Sequence, residues 1–282
     1  MLRISKISFP GLGIGEFEID SVAIPIKNLE IAWYAIIIVL GMVCAILYAI
    51  SQTKKIGLTP DELLDFAIYA IPSGIIGARL YYVLSKPHDF GSLAEIINIR
   101  NGGLAIYGGL IAGALAVLIT CHLKKIKFLA FADCVMPGIM LAQAIGRWGN
   151  FMNGEAFGAQ TEIFCRMGIN NLLTGFKTIY VHPTFLYESL WNVAGVLLIH
   201  FILRKFKQYD GQIFFESCAW YGLGRMLIEG LRSDSLYTTI GSLTFRTSQV
   251  LAGAILVVCL ALLIVFHINS EIFKGCFCHF RC

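Results

Sequence analysis

Charge is the scarce ingredient of this sequence. Only 14% of its 282 residues are Asp, Glu, Lys or Arg, against 57% hydrophobic, and the mean hydropathy is +0.74. A soluble domain carries about a quarter charged residues, so the composition excludes an ordinary soluble globule and points to a bilayer. The excess of 22 basic over 18 acidic residues is too mild to suggest a nucleic-acid partner. A cleavable signal peptide is also lacking: Met1–Asp20 carries Glu16, Glu18 and Asp20 and has no long apolar core. The first span is therefore expected to insert the protein. With no internal repeat and no low-complexity linker, residues 1–282 read as one polytopic membrane domain. Cysteine is not scarce, at nine residues, but Cys44, Cys121, Cys134, Cys218 and Cys259 lie in or beside apolar runs, where a free thiol is a small buried hydrophobe. Cys165 stands alone in a polar segment and has no partner there for a disulfide. The tail residues Cys276, Cys278, His279 and Cys282 have zinc-binding atoms at an unusual spacing, and read as a reduced tail with no site.

What is present is a set of seven apolar segments, at Ile31–Ile50, Leu63–Leu84, Leu104–Leu123, Phe128–Ile145, Thr184–Leu203, Ile213–Leu231 and Ser248–His267. Each is close to the ~20 residues that cross a hydrocarbon core. The pattern predicts an all-α integral membrane protein with seven transmembrane helices. Polar residues interrupt the second, fourth and sixth, as expected of helices lining a cavity. Lys54/Lys55, Lys124/Lys125/Lys127 and Arg204/Lys205/Lys207 follow spans one, three and five in short connections, and Lys274 and Arg281 lie in the tail. Basic residues favour the cytoplasmic side. The amino terminus is then outside and the tail, 268–282, is cytoplasmic. Residues 1–30 read as an amphipathic arm at the outer surface. Its pattern at Phe17, Ile19, Val22, Ile24 and Ile26 is too mixed to choose helix or strand. Residues 150–183 read as a small extracytoplasmic cap.

Chemistry gathers in Gly146-Arg-Trp-Gly-Asn-Phe-Met-Asn-Gly-Glu-Ala-Phe-Gly158. Arg147, Asn150, Asn153 and Glu155 follow directly on an apolar run, on backbone that the glycines allow to bend. An intramembrane charge costs roughly 2.5–3.5 kcal/mol even on lenient scales, so such residues usually face a functional cavity. In the sixth span Tyr221, Arg225, Glu229 and Arg232 fall on one helical face. The bland reading of that face is an Arg225–Glu229 pair that neutralises itself. Arg147 and Arg225 share the outer-leaflet depth, where two guanidiniums repel unless an anion or carboxylates compensate. A planar guanidinium suits phosphate, and a phospholipid headgroup is the anion at hand. Glu155, Glu188 and Glu229 would balance the site when it is empty. Arg79 is a further intramembrane charge beside small residues. Tyr107 stands between Gly102-Gly103 and Gly108-Gly109 as either an interfacial aromatic or a catalytic phenol; Tyr34 reads more simply as a belt aromatic. His182 precedes Pro183 at the start of span five and orients a loop or acts directly.

These landmarks resemble a family. The Gly146–Gly158 segment is similar to the signature of the bacterial prolipoprotein diacylglyceryl transferases. Trp33-Tyr34, Gly102-Gly103 through Gly108-Gly109-Leu110, His182-Pro183 with Tyr187-Glu188, Tyr221 through Arg225, Glu229 and Arg232, and Gln249 agree in order and spacing. The resemblance implies a seven-helix enzyme of the bacterial cell (inner) membrane that moves a diacylglyceryl group from phosphatidylglycerol to the lipobox cysteine of a prolipoprotein signal peptide. A thioether forms and glycerol 1-phosphate leaves. It further implies that Arg147 and Arg225 contact the phosphate, and that Asn150, Glu155, Gly158, Tyr34 and Glu229 occupy important positions, with Asn153 and Arg232 beside them. One departure stands out: many members carry histidine where this chain has Tyr107. Tyr107, Glu229 and the departing phosphate are then the alternatives for accepting the thiol proton. No metal or organic cofactor is called for. A transporter or flippase for an anionic lipid, or a scaffold binding signal peptides without chemistry, are the readings from other classes. The first lacks a duplicated half, and the second leaves the arginine pair unexplained.

Overall fold

The computed structural model describes residues 4–26, 29–99, 102–233, 237–240 and 243–279. Eight α-helices dominate the described residues: α1 (Trp33–Gln52), α2 (Pro60–Ser85), a short α3 (Leu93–Ile97), α4 (Ile106–Leu123), α5 (Phe128–Asn153), α6 (Thr184–Phe201), α7 (Gln212–Glu229) and α8 (Thr247–His279). Six of them, α1, α2, α4, α5, α6 and α8, are long and apolar enough to cross a membrane. The protein is thus mostly helical and multi-pass. The seventh expected span, Ile213–Leu231, does form a helix, α7. It packs Glu216, Arg225 and Glu229 into 18 residues, whereas each of the six has an 18-residue stretch with at most two charges. The side chains of Cys276, Cys278 and His279, and all of Cys282, lie outside the described residues.

The chain divides into two compact units, residues 48–135 and residues 1–47 with 136–282. In the first, the start of α2 is written in the sequence. Thr59 accepts from the backbone N–H of Glu62, the Glu62 carboxylate accepts from the backbone N–H of Thr59, and Pro60 opens the first turn. α2 meets α4 along a glycine seam: a Cβ on Gly109 would come 3.2 Å from the carbonyl oxygen of Gly74, and Gly77 against Gly108 is tighter still. Small residues are what let two membrane helices approach so closely. One end of the unit is sealed by Leu58, Leu63, Phe66, Cys121 and Phe131, with the Phe66 and Phe131 rings 4.0 Å apart. Arg79 on α2 is buried. Its Nε donates to the carbonyl of Ile96, Nη1 to Gly102 and Gly103, and Nη2 to Glu95 and Asn98, all at 2.7–3.0 Å. That uses every donor a guanidinium has.

In the second unit the amino-terminal arm is strand. β1 (Ile4–Phe9), β2 (Ile14–Asp20), β5 (Met167–Asn170) and β6 (Ile179–Val181) form one sheet in the order β2-β1-β5-β6. β3 (Val22–Ile26) pairs with β4 (Leu29–Ala32), and β7 (Tyr237–Ile240) with β8 (Leu243–Arg246). Arm and cap therefore share one antiparallel layer, with Ile7 opposite Ile169. Strand alternation turns Ile7, Ile19, Met167, Ile169 and Val181 onto Phe185 of α6 to form its core. The membrane helices are α and these elements are β, a mixture that the arm's short, uneven pattern hid. A second difference concerns α5, expected to end near Ile145 but helical through Asn153. It stops at Gly154, whose φ of +61° favours glycine. Asn171 Nδ2 holds that turn, donating to the Gly154 carbonyl at 2.8 Å and to Ser5 Oγ at 3.2 Å.

Candidate functional site

The extra turns of α5 carry Arg147 and Asn150 on one face, three residues apart, toward α6 and α7. Glu188 of α6 stands at the centre. Its Oε2 lies 2.5 Å from Arg147 Nη2, and its Oε1 lies 3.2 Å from Arg225 Nη1 and 3.4 Å from Arg232 Nη1. Guanidiniums from α5, from α7 and from the turn beyond α7 thus share one carboxylate that is only 6% exposed. Glu229, 1% exposed, is the second acid, with Oε2 2.6 Å from Arg225 Nη2 and 4.0 Å from Arg232 Nε. That oxygen makes no well-directed hydrogen bond among the described residues, so the contact is charge against charge without good alignment. A third carboxylate lies one step further. Arg147 Nη1 donates to Asn150 Oδ1 at 3.4 Å, and Glu155 Oε1 accepts from Asn150 Nδ2 at 3.2 Å and Asn153 Nδ2 at 3.0 Å.

The self-neutralising reading of Arg225–Glu229 is incomplete, because Arg225 also crosses to α6. Like charges about 4 Å apart repel by about 4 kcal/mol at an effective dielectric of 20. A buried ion network also gains little over well-packed apolar residues. The arrangement is therefore poorly explained by stability alone, and suits a place where an incoming anion takes over from a carboxylate.

Neighbouring side chains fix the three helices. Trp148, next to Arg147, donates its indole N–H to Ser189 Oγ at 3.2 Å, and Ser189, next to Glu188, donates to the Ala144 carbonyl at 2.9 Å. Between α6 and α7, Trp191 Nε1 donates to the Trp220 carbonyl at 3.0 Å and Trp220 Nε1 to the Trp191 carbonyl at 2.9 Å, with rings stacked 4.5 Å apart. Gly195 and Gly224 make room for the two indoles; a Cβ on either would strike the ring opposite.

Of the expected site residues, Arg147, Asn150, Asn153, Glu155, Arg225, Glu229 and Arg232 form this connected network. Tyr34 adjoins it: a Cβ on Gly149 would lie 2.7 Å from Tyr34 Cδ2, so the ring rests on the α5 turn that holds Arg147 and Asn150. Gly158 is a structural hinge of the cap. Its N–H donates to the His182 carbonyl at 2.9 Å and it bridges to Arg232. A Cβ there would come 2.6 Å from His182 Cβ and 2.8 Å from the Leu231 oxygen. Tyr107 belongs to the other compact unit, in the first turn of α4 and 43% exposed. Glu188 was expected only to balance charge, yet it is the hub. A signal existed, since Glu188 is the one acidic residue of its expected span.

Residues 21–265 match the family model described as prolipoprotein diacylglyceryl transferase. The chain belongs to that family. The matched stretch contains the whole network. Relatives named phosphatidylglycerol–prolipoprotein diacylglyceryl transferase include the protein of Listeria welshimeri, 44% identical over 262 residues, with 90% of this chain and 92% of the relative covered. The Clostridioides difficile protein is 46% identical over 218 residues, covering 77% and 85%. That of Enterococcus faecalis is 40% identical over 266 residues, covering 90% and 93%.

Proposed function

We propose that this chain transfers the diacylglyceryl group of phosphatidylglycerol to the lipobox cysteine thiol of prolipoproteins, forming a thioether and releasing glycerol 1-phosphate. Family membership supplies the reaction class. The observation that carries the roles is the meeting of Arg147 and Arg225, from two helices, on the single Glu188 carboxylate. An arriving phosphodiester competes for those guanidiniums, and Arg232 stands within the same group. The sulfur attacks the glyceryl carbon that bears the phosphate. The C–S bond forms as the C–O bond breaks, and the electron pair departs on the phosphate oxygen. Negative charge grows where the arginines already stand, which needs no reorganisation as the barrier is crossed.

The thiol has an ordinary pKa of about 8.5 and is a few per cent thiolate at neutral pH; cationic neighbours lower that pKa. Its proton goes to Glu229, whose Oε2 has no well-directed hydrogen bond among the described residues, or to the departing phosphate. Tyr107 is the weaker acceptor, since a neutral phenol accepts a proton far less readily than a carboxylate or a phosphate. Tyr34, Asn150, Asn153, Glu155 and Gly158 hold the lipid side of the site. The distribution of lysine and arginine supports α7 as a seventh span, an outside amino terminus and residence in the bacterial cell membrane. Residues 1–30 and 150–183 then form the extracytoplasmic arm and cap of one membrane domain.

Purified protein given phosphatidylglycerol and a lipobox peptide is expected to release glycerol 1-phosphate and yield a thioether-linked peptide. Arg147→Ala or Arg225→Ala should reduce release at least ~10²-fold, the scale of one lost charge-stabilising donor, while the protein still inserts. Full activity in both variants would overturn these roles.

A further inference from the structure

Beside the arginine cluster, α6 and α7 border a small, partly open pocket lined by Glu188, Trp191, Asn192, Tyr221, Gly224 and Arg225. Its empty space, about 200 Å³, includes the part open to the outside, and the interior is narrow. That is room for one water or one hydroxyl. Trp191 walls one side and is held there by its two reciprocal indole hydrogen bonds with Trp220, which resist collapse of the space.

Asn192 is the unusual member. It is 5% exposed, and among the described residues no hydrogen-bond partner falls to its amide. Tyr221 is half-buried, and its hydroxyl likewise makes no hydrogen bond among the described residues. Neither group is among the fully buried unpartnered atoms of the described residues, so both meet the open space of the pocket, where a polar group gains by finding a partner. The cavity supplies the place for one. A hydroxyl fits its chemistry because it donates and accepts, as Asn192 and Tyr221 both require. An ammonium would only donate, and would face the Arg225 guanidinium across the same small space.

We propose that Asn192, with Tyr221, forms a subsite for one hydroxyl of the donor lipid's polyol headgroup, making Asn192 a specificity-determining residue. This rests on the reading that phosphatidylglycerol is the donor with its phosphate on Arg225. Arg225 borders the cavity, so headgroup carbons leaving that phosphate enter at its mouth. A water fills the site when no lipid is bound, and the headgroup hydroxyl replaces it.

The test compares phosphatidylglycerol with phosphatidyl-1-propanol, which has a headgroup of the same length without hydroxyls. Thioether peptide formed from each lipid is measured by mass spectrometry on the same protein sample, so any misfolded fraction cancels in the ratio of kcat/KM values. The native protein is expected to favour phosphatidylglycerol about tenfold or more, the scale of a buried polar group left unpaired. Asn192→Leu, of similar volume, is expected to bring that ratio to within about threefold of unity, chiefly through KM for phosphatidylglycerol. Asn192→Ser, which keeps a hydroxyl and opens space for water, should give an intermediate ratio and decides the matter if the leucine variant is inactive. A native ratio near one, or an unchanged ratio in the variants, overturns the subsite; equal losses on both lipids would mean that the cavity holds structural water only. Absence of thioether product from phosphatidylglycerol with the native protein would instead sink the donor reading itself.

Discussion

Two regions of this protein bury arginine, and they do it differently. Around Glu188, three guanidiniums are held by carboxylates from α6 and α7, some at good distance and some poorly aligned. In residues 48–135, Arg79 has no ion pair among the described residues and donates all five N–H groups to main-chain carbonyls of α3, of Asn98 and of Gly102 and Gly103. A carboxylate can yield its place to a phosphate. Five carbonyls fixed in a chain cannot, and they leave the guanidinium nothing to offer a ligand. The rule that intramembrane charges are functional by default therefore separates by donor count: we propose that Arg147 and Arg225 serve a site that exchanges anions, while Arg79 is tied into the scaffold around α3 and the start of α4.

Lysine substitutions sharpen that division most. Arg225→Lys keeps the charge but loses the planar fork. Turnover is expected to fall ~10²–10³-fold, about 2.7–4 kcal/mol in the barrier, with the thermal midpoint of the detergent-solubilised protein nearly unchanged. Arg79→Lys should do the reverse. An ammonium has three donors, so carbonyls of residues 95–103 go unpaired at about 1–3 kcal/mol each. The midpoint should drop while KM for lipid in the surviving fraction holds. If Arg79→Lys instead lost turnover at full stability, the division proposed above would be wrong.

Smaller effects are expected of Gly158→Ala. The added methyl meets His182 Cβ and the Leu231 oxygen, both under 3 Å away, and overpacking of this kind costs about 1–3 kcal/mol. Chemical denaturation should register it, together with slower turnover, because Gly158 pairs across a bridge with Arg232. Smallest is Lys6, whose pKa is raised by its hydrogen bond to Glu16 and by the charges of Glu16 and Glu18. A raised lysine pKa contributes stability that is present at neutral pH and fades as pH climbs past 10.5 through the elevated value. The pair is exposed and screened by salt. Lys6→Met should therefore shift the midpoint barely at pH 7, and by less still near pH 11; a large shift would mean that the arm sheet depends on this pair.

Helix positions were legible because hydropathy is a local signal: the expected Thr184–Leu203 became Thr184–Phe201, and Leu104–Leu123 became Ile106–Leu123. Helical period put Arg225 and Glu229 on one face, whereas Arg232, expected on the same face, falls in the turn beyond α7 and reaches Glu188 from there. The length of α5 was not, because Arg147 and Asn150 look like a helix end until their spacing is placed beside Glu188. Glu188 itself acquires its role only when two other helices bring arginines to it, and no window of sequence contains all three. The arm failed for the same reason. Its strand β1 finds a partner in β5, far along the chain, so its own residues could not declare it.

That distant pairing sets a timetable for biogenesis. Ile7 leaves the ribosome about 160 residues ahead of Ile169, the residue it will face. At about 5–20 residues per second this is a wait of roughly ten to thirty seconds. For that interval β1 offers an open edge on the side that β5 will take, available to any other extended chain. The first hairpin must therefore tolerate solitude, and α5 gains the loop that ends it only when the cap arrives to close the layer.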